Sequence, residues 1–75
     1  MSSNIIFSQL REDGDAALTN FIKYKNYEMA MTIRINKDKY QIKFYKDHNY
    51  NKKEKEKLEF NRKEFDEFIS KNSEK

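Results

Sequence analysis

Residues 31–45, MTIRINKDKYQIKFY, alternate twice around a polar break. Met31, Ile33 and Ile35 are the apolar positions of the first run, and Tyr40, Ile42 and Phe44 those of the second. Alternation with this β-branched and aromatic content predicts two half-buried strands over 29–35 and 39–46. With Lys37-Asp38 as a two-residue hairpin loop, Ile35 faces Tyr40, Ile33 faces Ile42 and Met31 faces Phe44. All six then share one oily face. Thr32, Arg34, Gln41, Lys43 and Tyr45 share the other, which is cationic and carries a ring.

The rest of the chain punctuates around this hairpin. NIIFSQL (4–10) is a short apolar run that fits a strand, and REDGDAA after it holds the only Gly and reads as a turn. The segment 15–28 supports two readings. Asp15 fits the cap of a helix with Leu18, Phe21 and Ile22 at i, i+3 and i+4. Alternatively, TNFIKYKNY alternates as a strand, which is the expectation from about residue 20 onward. A polar, lysine-rich loop spans 46–57, and LEF (58–60) offers a short strand. A helix follows: Asn61 is its N-cap, Glu64 completes a capping box, and Phe60 with Phe65 occupy the positions of a hydrophobic staple. Phe65, Phe68 and Ile69 make its apolar stripe.

The expected fold is therefore α+β: a four-stranded antiparallel, curved sheet followed by a C-terminal helix packing on its apolar face. Antiparallel sheets commonly bury one side and leave the other wet. At 75 residues the chain is one domain, 1–75, with 1–3 and 71–75 expected to be disordered. It has no Cys, so no disulfide or thiolate metal site supplements the core. No run has the length of a membrane span or signal segment, so a membrane is not an expected partner. These features point to an intracellular protein, in the nucleus, or in a host cell if the source is viral.

Charge narrows the picture. The net formal charge is +3, but residues 31–57 hold nine Lys/Arg against four carboxylates, a local +5. The segments on either side each sum to −1. The positive charge thus sits on the hairpin and the loop after it. Catalysis has little to draw on. His48 is the only His and lies in a polar loop, no Ser has an evident base near it in sequence, and one Gly cannot make a phosphate loop. An enzyme is not expected, nor a metal or cofactor. Single-stranded nucleic acid fits better, because it needs cations that track phosphates and rings on which bases stack. Arg34, Lys37, Lys39, Lys43, Lys52, Lys53 and Lys55 supply the cations, and Tyr45, His48 and Tyr50 supply the rings.

From residue 31 to about residue 70 the chain resembles the positive-cofactor-four family of transcriptional coactivators, which bind single-stranded DNA. The features that carry the likeness are TIRINKDKYQIKFY, then NKKEKEK, then LEFNRKEFDEF, with Leu58, Phe60, Phe65 and Phe68 at the family's spacing. The resemblance implies that Lys37 and Lys39 grip the DNA backbone and that Lys55 matches a basic loop residue. It also implies a homodimer joined through Phe65, Phe68 and Ile69 of the helix, working with transcription or replication machinery on single-stranded DNA, or RNA. The sequence departs from the pattern at Asn36 and Asp38, where the family has a turn aromatic and Gly. Tyr45 stands where the family has an Arg, His48 where it has an aromatic, and the loop lacks Gly and Pro. The alternative is a small protein-binding module or viral inhibitor that docks a protein on its exposed sheet face or edge.

Overall fold

The computed structural model describes residues 9–48 and 51–73. Within them the chain runs β1 (Ala16–Thr19), β2 (Met29–Asn36), β3 (Lys39–Tyr45), β4 (Glu56–Phe60) and α1 (Arg62–Asn72). The strands form one open antiparallel sheet in chain order, and α1 follows it. This is the α+β architecture that alternation and capping signals predict. No helix among the described residues is long and apolar enough to cross a membrane.

The start of α1 is built as expected. Asn61 Oδ1 accepts from the Glu64 amide at 2.8 Å, and Glu64 Oε1 accepts from the Asn61 amide at 3.2 Å. The two bonds satisfy donors that a helix start otherwise leaves unpaired. Phe60 and Phe65 meet at 6.4 Å between ring centres, closing the staple. At the other end, Ser73 Oγ donates to the Ile69 carbonyl, and the Lys23 amide donates to Asn72 O at 2.6 Å. The helix is therefore stitched to the 22–23 segment, where Ile22 and Ser73 form an isolated bridge.

The core lies between the sheet and α1. Tyr40, Ile42 and Phe44 from β3, Phe65 and Ile69 from α1, Leu10, Ile22 and Ala30 are all buried. Rings run through it as a connected chain: Tyr40 stacks on Phe65 at 4.7 Å, and Phe68 lies 5.0 Å from Phe60 and 5.5 Å from Tyr24. Tyr24 and Tyr27 in turn lie 4.7 and 5.5 Å from Phe44. Each large side chain buried in full contributes about 1.5–3 kcal/mol. Phe65 and Ile69 are completely inaccessible within one chain, so they present nothing to a second copy. Phe68, the third residue of the stripe, is half-buried against Phe60 and Tyr24.

Two expectations are corrected. The first is the parity of β2. The hairpin does close through Lys37-Asp38, with Asn36 opposite Lys39, but Arg34 then pairs with Tyr40 and leaves Ile35 as an extra residue. That bulge reverses every side chain before it. Ala30 and Thr32 point into the core, opposite Phe44 and Ile42, while Met31 and Ile33 point out, opposite Lys43 and Gln41. The expected pairs Ile35–Tyr40, Ile33–Ile42 and Met31–Phe44 do not form, and Thr32 and Arg34 leave the open face. Small residues inside β2 leave room for Leu10, Ile22 and the Tyr24 and Tyr27 rings, which larger side chains there would displace. Thr32 also satisfies its hydroxyl by donating to Ala17 O at 3.1 Å. The turn has no Asn-Gly, yet the Asn36 side chain accepts from the Asp38 amide at 2.8 Å and braces it.

The second correction concerns 15–28. The strand comes earlier than expected, at Ala16–Thr19, and 20–28 is a loop rather than a strand. Asp15 caps a turn instead of a helix, its carboxylate accepting from the Arg11 and Glu12 amides at 3.1 and 2.9 Å. Of the strand expected over 4–10, residues 4–8 lie outside the described residues; Gln9 is helical and Leu10 is buried. The expected disorder of 1–3 also lies outside them, as does that of 74–75, while 71–72 belong to α1.

The bulge makes a sharp mutational statement. Ile42→Ala should destabilise by about 2–5 kcal/mol through a buried cavity. Ile33→Ala, on the outer face, should cost less than about 1 kcal/mol. Urea titrations of both variants check this, and equal large losses would restore the unbulged pairing.

Candidate nucleic-acid interface

The outer face of the sheet is divided along its length. Combining the three registers, one row across it reads Lys57, Lys43, Met31, Leu18, from β4 to β1. The next row reads Glu59, Gln41, Ile33, Ala16. The β3–β4 half is polar and the β1–β2 half aliphatic, and Leu18 and Ile35 are exposed large apolar side chains of β1 and β2.

The sequence-selected cations fall in three places. Arg34 is not on the face at all. Its Nη1 donates to the carbonyls of Leu10, at 3.3 Å, and Arg11, and its Nε lies 3.5 Å from Asp13 Oδ1. Its backbone also pairs with Gly14 and Asp15. Arg34 is a structural tie for 10–15. Lys37 and Lys39 stand at the hairpin turn. Lys39 pairs with Glu59 at 3.4 Å, and the hollow beside it is lined by Asp38, Glu59 and Glu64, which repel phosphate. Glu59, held by Gln41 and then Lys39, ionises below its ordinary range.

The opposite end of the sheet is different. Lys46, Lys52, Lys53 and Lys55 line a hollow of about 310 Å³ with Tyr45 and Asp47. A second hollow, of about 420 Å³, is lined by Lys25, Asn26, Tyr27, Lys46 and Lys55. Sharing Lys46 and Lys55, the two make one trough with lysines drawn from the 20–28 loop, the end of β3 and the approach to β4. Lys43 and Lys57 continue it along the outer face. With β3 spanning seven residues at about 3.4 Å each, the trough and the turn lysines stand roughly 20 Å apart.

Lys25 and Lys46 were not among the residues the sequence singled out. Lys46 directly extends the basic run and was within reach of that reading. Lys25 was not, because what places it is a contact 31 residues away, where Glu56 Oε1 accepts from Lys25 Nζ at 2.8 Å. The same carboxylate accepts from Tyr24 Oη at 3.1 Å and Tyr27 Oη at 3.0 Å. Three donors thus hold the 20–28 loop on the edge strand, with Lys25 in the left-handed region at φ 53°. The Lys25 ammonium, then Tyr27 and Tyr24, hold the Glu56 carboxyl below its ordinary value, and the Lys25 ammonium is correspondingly raised by Glu56.

The expected stacking rings are not available as a set. Tyr45 is only 6% exposed, and burial followed by the nearby Glu54 charge raises its phenol. It packs as part of the trough wall and offers no free face. His48 is exposed, with Nε2 3.6 Å from Glu28 Oε1. Tyr50 lies outside the described residues. No group of His, Cys, Asp and Glu among the described residues has an arrangement that could hold a metal.

Glu56 gives a pH signature. A carboxyl that ionises more readily when folded adds stability above its ordinary value of 4.5 and loses that contribution as the pH falls through the lowered value. Glu56→Gln should therefore be less stable than the wild type at neutral pH, and the gap should close on acidification below about 4.5. Thermal melts across that range check it; a gap independent of pH would show that the ionised form contributes nothing. Tyr45→Ala should lower the melting temperature itself, as loss of a buried ring costs about 3–5 kcal/mol.

Compared with family models, with curated proteins and with solved structures, the chain finds no match.

Proposed function

We propose that this protein binds single-stranded nucleic acid, with DNA as the expected form, chiefly through phosphates held in the lysine trough. The observation that carries the reading is the convergence of Lys46, Lys52, Lys53 and Lys55 from two chain segments on one hollow, which adjoins a second lined by Lys25, itself paired with Glu56. A polyanion entering there meets a low-cost array of ammonium groups and releases counterions as it binds. Lys43 and Lys57 lead the backbone onto the outer face of the sheet. The resemblance to the positive-cofactor-four coactivators supports the same ligand and suggests a place in transcription or replication. The trough, more than the turn lysines Lys37 and Lys39, is the grip in this chain.

A second reading, a protein docked on the open sheet face, draws on the aliphatic half formed by Leu18, Met31, Ile33 and Ile35. Titration with single-stranded and duplex oligonucleotides at two salt concentrations separates the readings. Salt-dependent binding that favours the single strand supports the first, and no binding at low salt supports the second.

The lysine groups can be ranked quantitatively. Each phosphate neutralised on a single strand adds about −0.7 to the slope of log K against log salt. Replacing Lys52, Lys53 and Lys55 with Ala should flatten that slope by about 2 if each contacts a phosphate. The pair Lys37→Ala and Lys39→Ala should flatten it by less than the roughly 1.4 that two full contacts give, because Glu59 already engages Lys39. A folded triple variant with the wild-type slope would remove the trough from the site.

A further inference from the structure

Among the described residues Tyr45 is buried and His48 lies beside Glu28, so the trough shows no pair of free rings that would distinguish a single strand from a duplex. The outer sheet face supplies one. We infer that the aliphatic half of that face, Leu18, Met31 and Ile33, is the platform for the bases of the strand whose phosphates run over Lys43 and Lys57. The inference rests on the single-strand reading above and assigns a second, apolar part to its site.

The registers put the two chemistries side by side. Lys57, Lys43, Met31 and Leu18 form one straight row across four strands, each about 4.8 Å from the next. The boundary between charge and aliphatic surface therefore runs parallel to the strands, between β2 and β3. A nucleotide has the same division, with a charged backbone on one side and a flat apolar base on the other. Laid along that boundary, a strand puts phosphates on the β3–β4 side and bases on the β1–β2 side. The next row, with Gln41 and Ile33, lies about 7 Å further along, two residues on, and repeats the division with an amide in place of the ammonium. Glu59, the carboxylate on the polar half, is engaged by Lys39 and Gln41, so it does not face the strand as a bare charge. The bulge at Ile35 is what creates the platform, since without it Met31 and Ile33 would point into the core.

Aliphatic side chains receive a base through burial of apolar surface, without the ordered stacking an aromatic ring imposes. The contact is thus indifferent to base identity. It also excludes duplex DNA, whose bases are stacked inward and cannot lie flat on the sheet. Charge adjacency is what favours a nucleic acid over a protein or a second copy on this face, because Lys43 and Lys57 stand in the same row as Met31 and Leu18 and Gln41 borders Ile33 in the next.

The test crosses a protein variant with a ligand variant. Met31→Thr with Ile33→Thr keeps β-branched residues in β2 and so preserves strand preference. Circular dichroism and a melt confirm the fold. Binding is measured to a homothymidine strand and to an abasic strand of equal length and charge. The wild type should bind the thymidine strand more tightly, and the variant should lose about tenfold on it while binding the abasic strand as the wild type does, with an unchanged salt slope. Equal binding of both strands by wild type and variant would overturn the platform and leave the phosphate reading standing. No binding of either strand by the wild type at low salt would overturn both. A variant that binds normally but changes its sedimentation would assign the stripe to a protein contact and likewise overturn the proposal. As a second arm, Leu18→Thr on β1 should reproduce the loss in weaker form; an unchanged affinity there, with the β2 variant also silent, excludes the face.

Discussion

One inserted residue governs how this molecule uses its surface. Ile35 has no partner across the hairpin, and the pairing on either side of it differs in phase. Because side chains in a strand alternate with period two, a single extra residue decides which half of β2 is solvated. Here it sends Ala30 and Thr32 inside and Met31 and Ile33 outside. The choice runs against hydrophobicity taken alone and is settled by volume. The interior already contains a continuous set of rings from β3, α1 and the 20–28 loop, and β2 contributes the small residues that let them meet. Arg34, at the edge of the bulge, is committed to the carbonyls of Leu10 and Arg11, so the same irregularity anchors the N-terminal part of the described chain.

The sequence disclosed those parts of the fold whose signals are local. The capping box at Asn61 and Glu64, the staple of Phe60 and Phe65, and the alternation of β3 need only neighbouring residues. Each is present as read. The phase of β2 relative to β3 is not local information, because MTIRI alternates equally well with either set of residues inward. Apolarity favoured Met31, Ile33 and Ile35, whereas the bulged register puts Ala30 and Thr32 inside. The 20–28 loop was misread for a related reason. Its rings alternate like those of a strand, but they turn inward because Phe44, Phe68 and Glu56 meet them there.

The candidate site was half visible on the same grounds. Lysine density in NKKEKEK marks one wall of the trough without any knowledge of the fold. The opposite wall depends on Glu56, a residue that composition counts as an anionic interruption of a basic run. In the structure it is the group that recruits Lys25 and both tyrosines. Arg34 shows the converse. Its type and position suited a phosphate ligand, while backbone carbonyls far from it in sequence had a prior claim on its guanidinium.

The face-to-face placement of Lys43 and Lys57 on adjacent strands has a thermodynamic consequence. Like charges directly opposite each other in an antiparallel pair oppose the pairing of their strands. β4 is an edge strand of only five residues, so it has few other pairings with which to resist that repulsion. An anion resting between the two ammonium groups would convert that repulsion into a bridge. Occupancy of that position by an anion and cohesion of the sheet edge would then be linked quantities, each favouring the other by mass action.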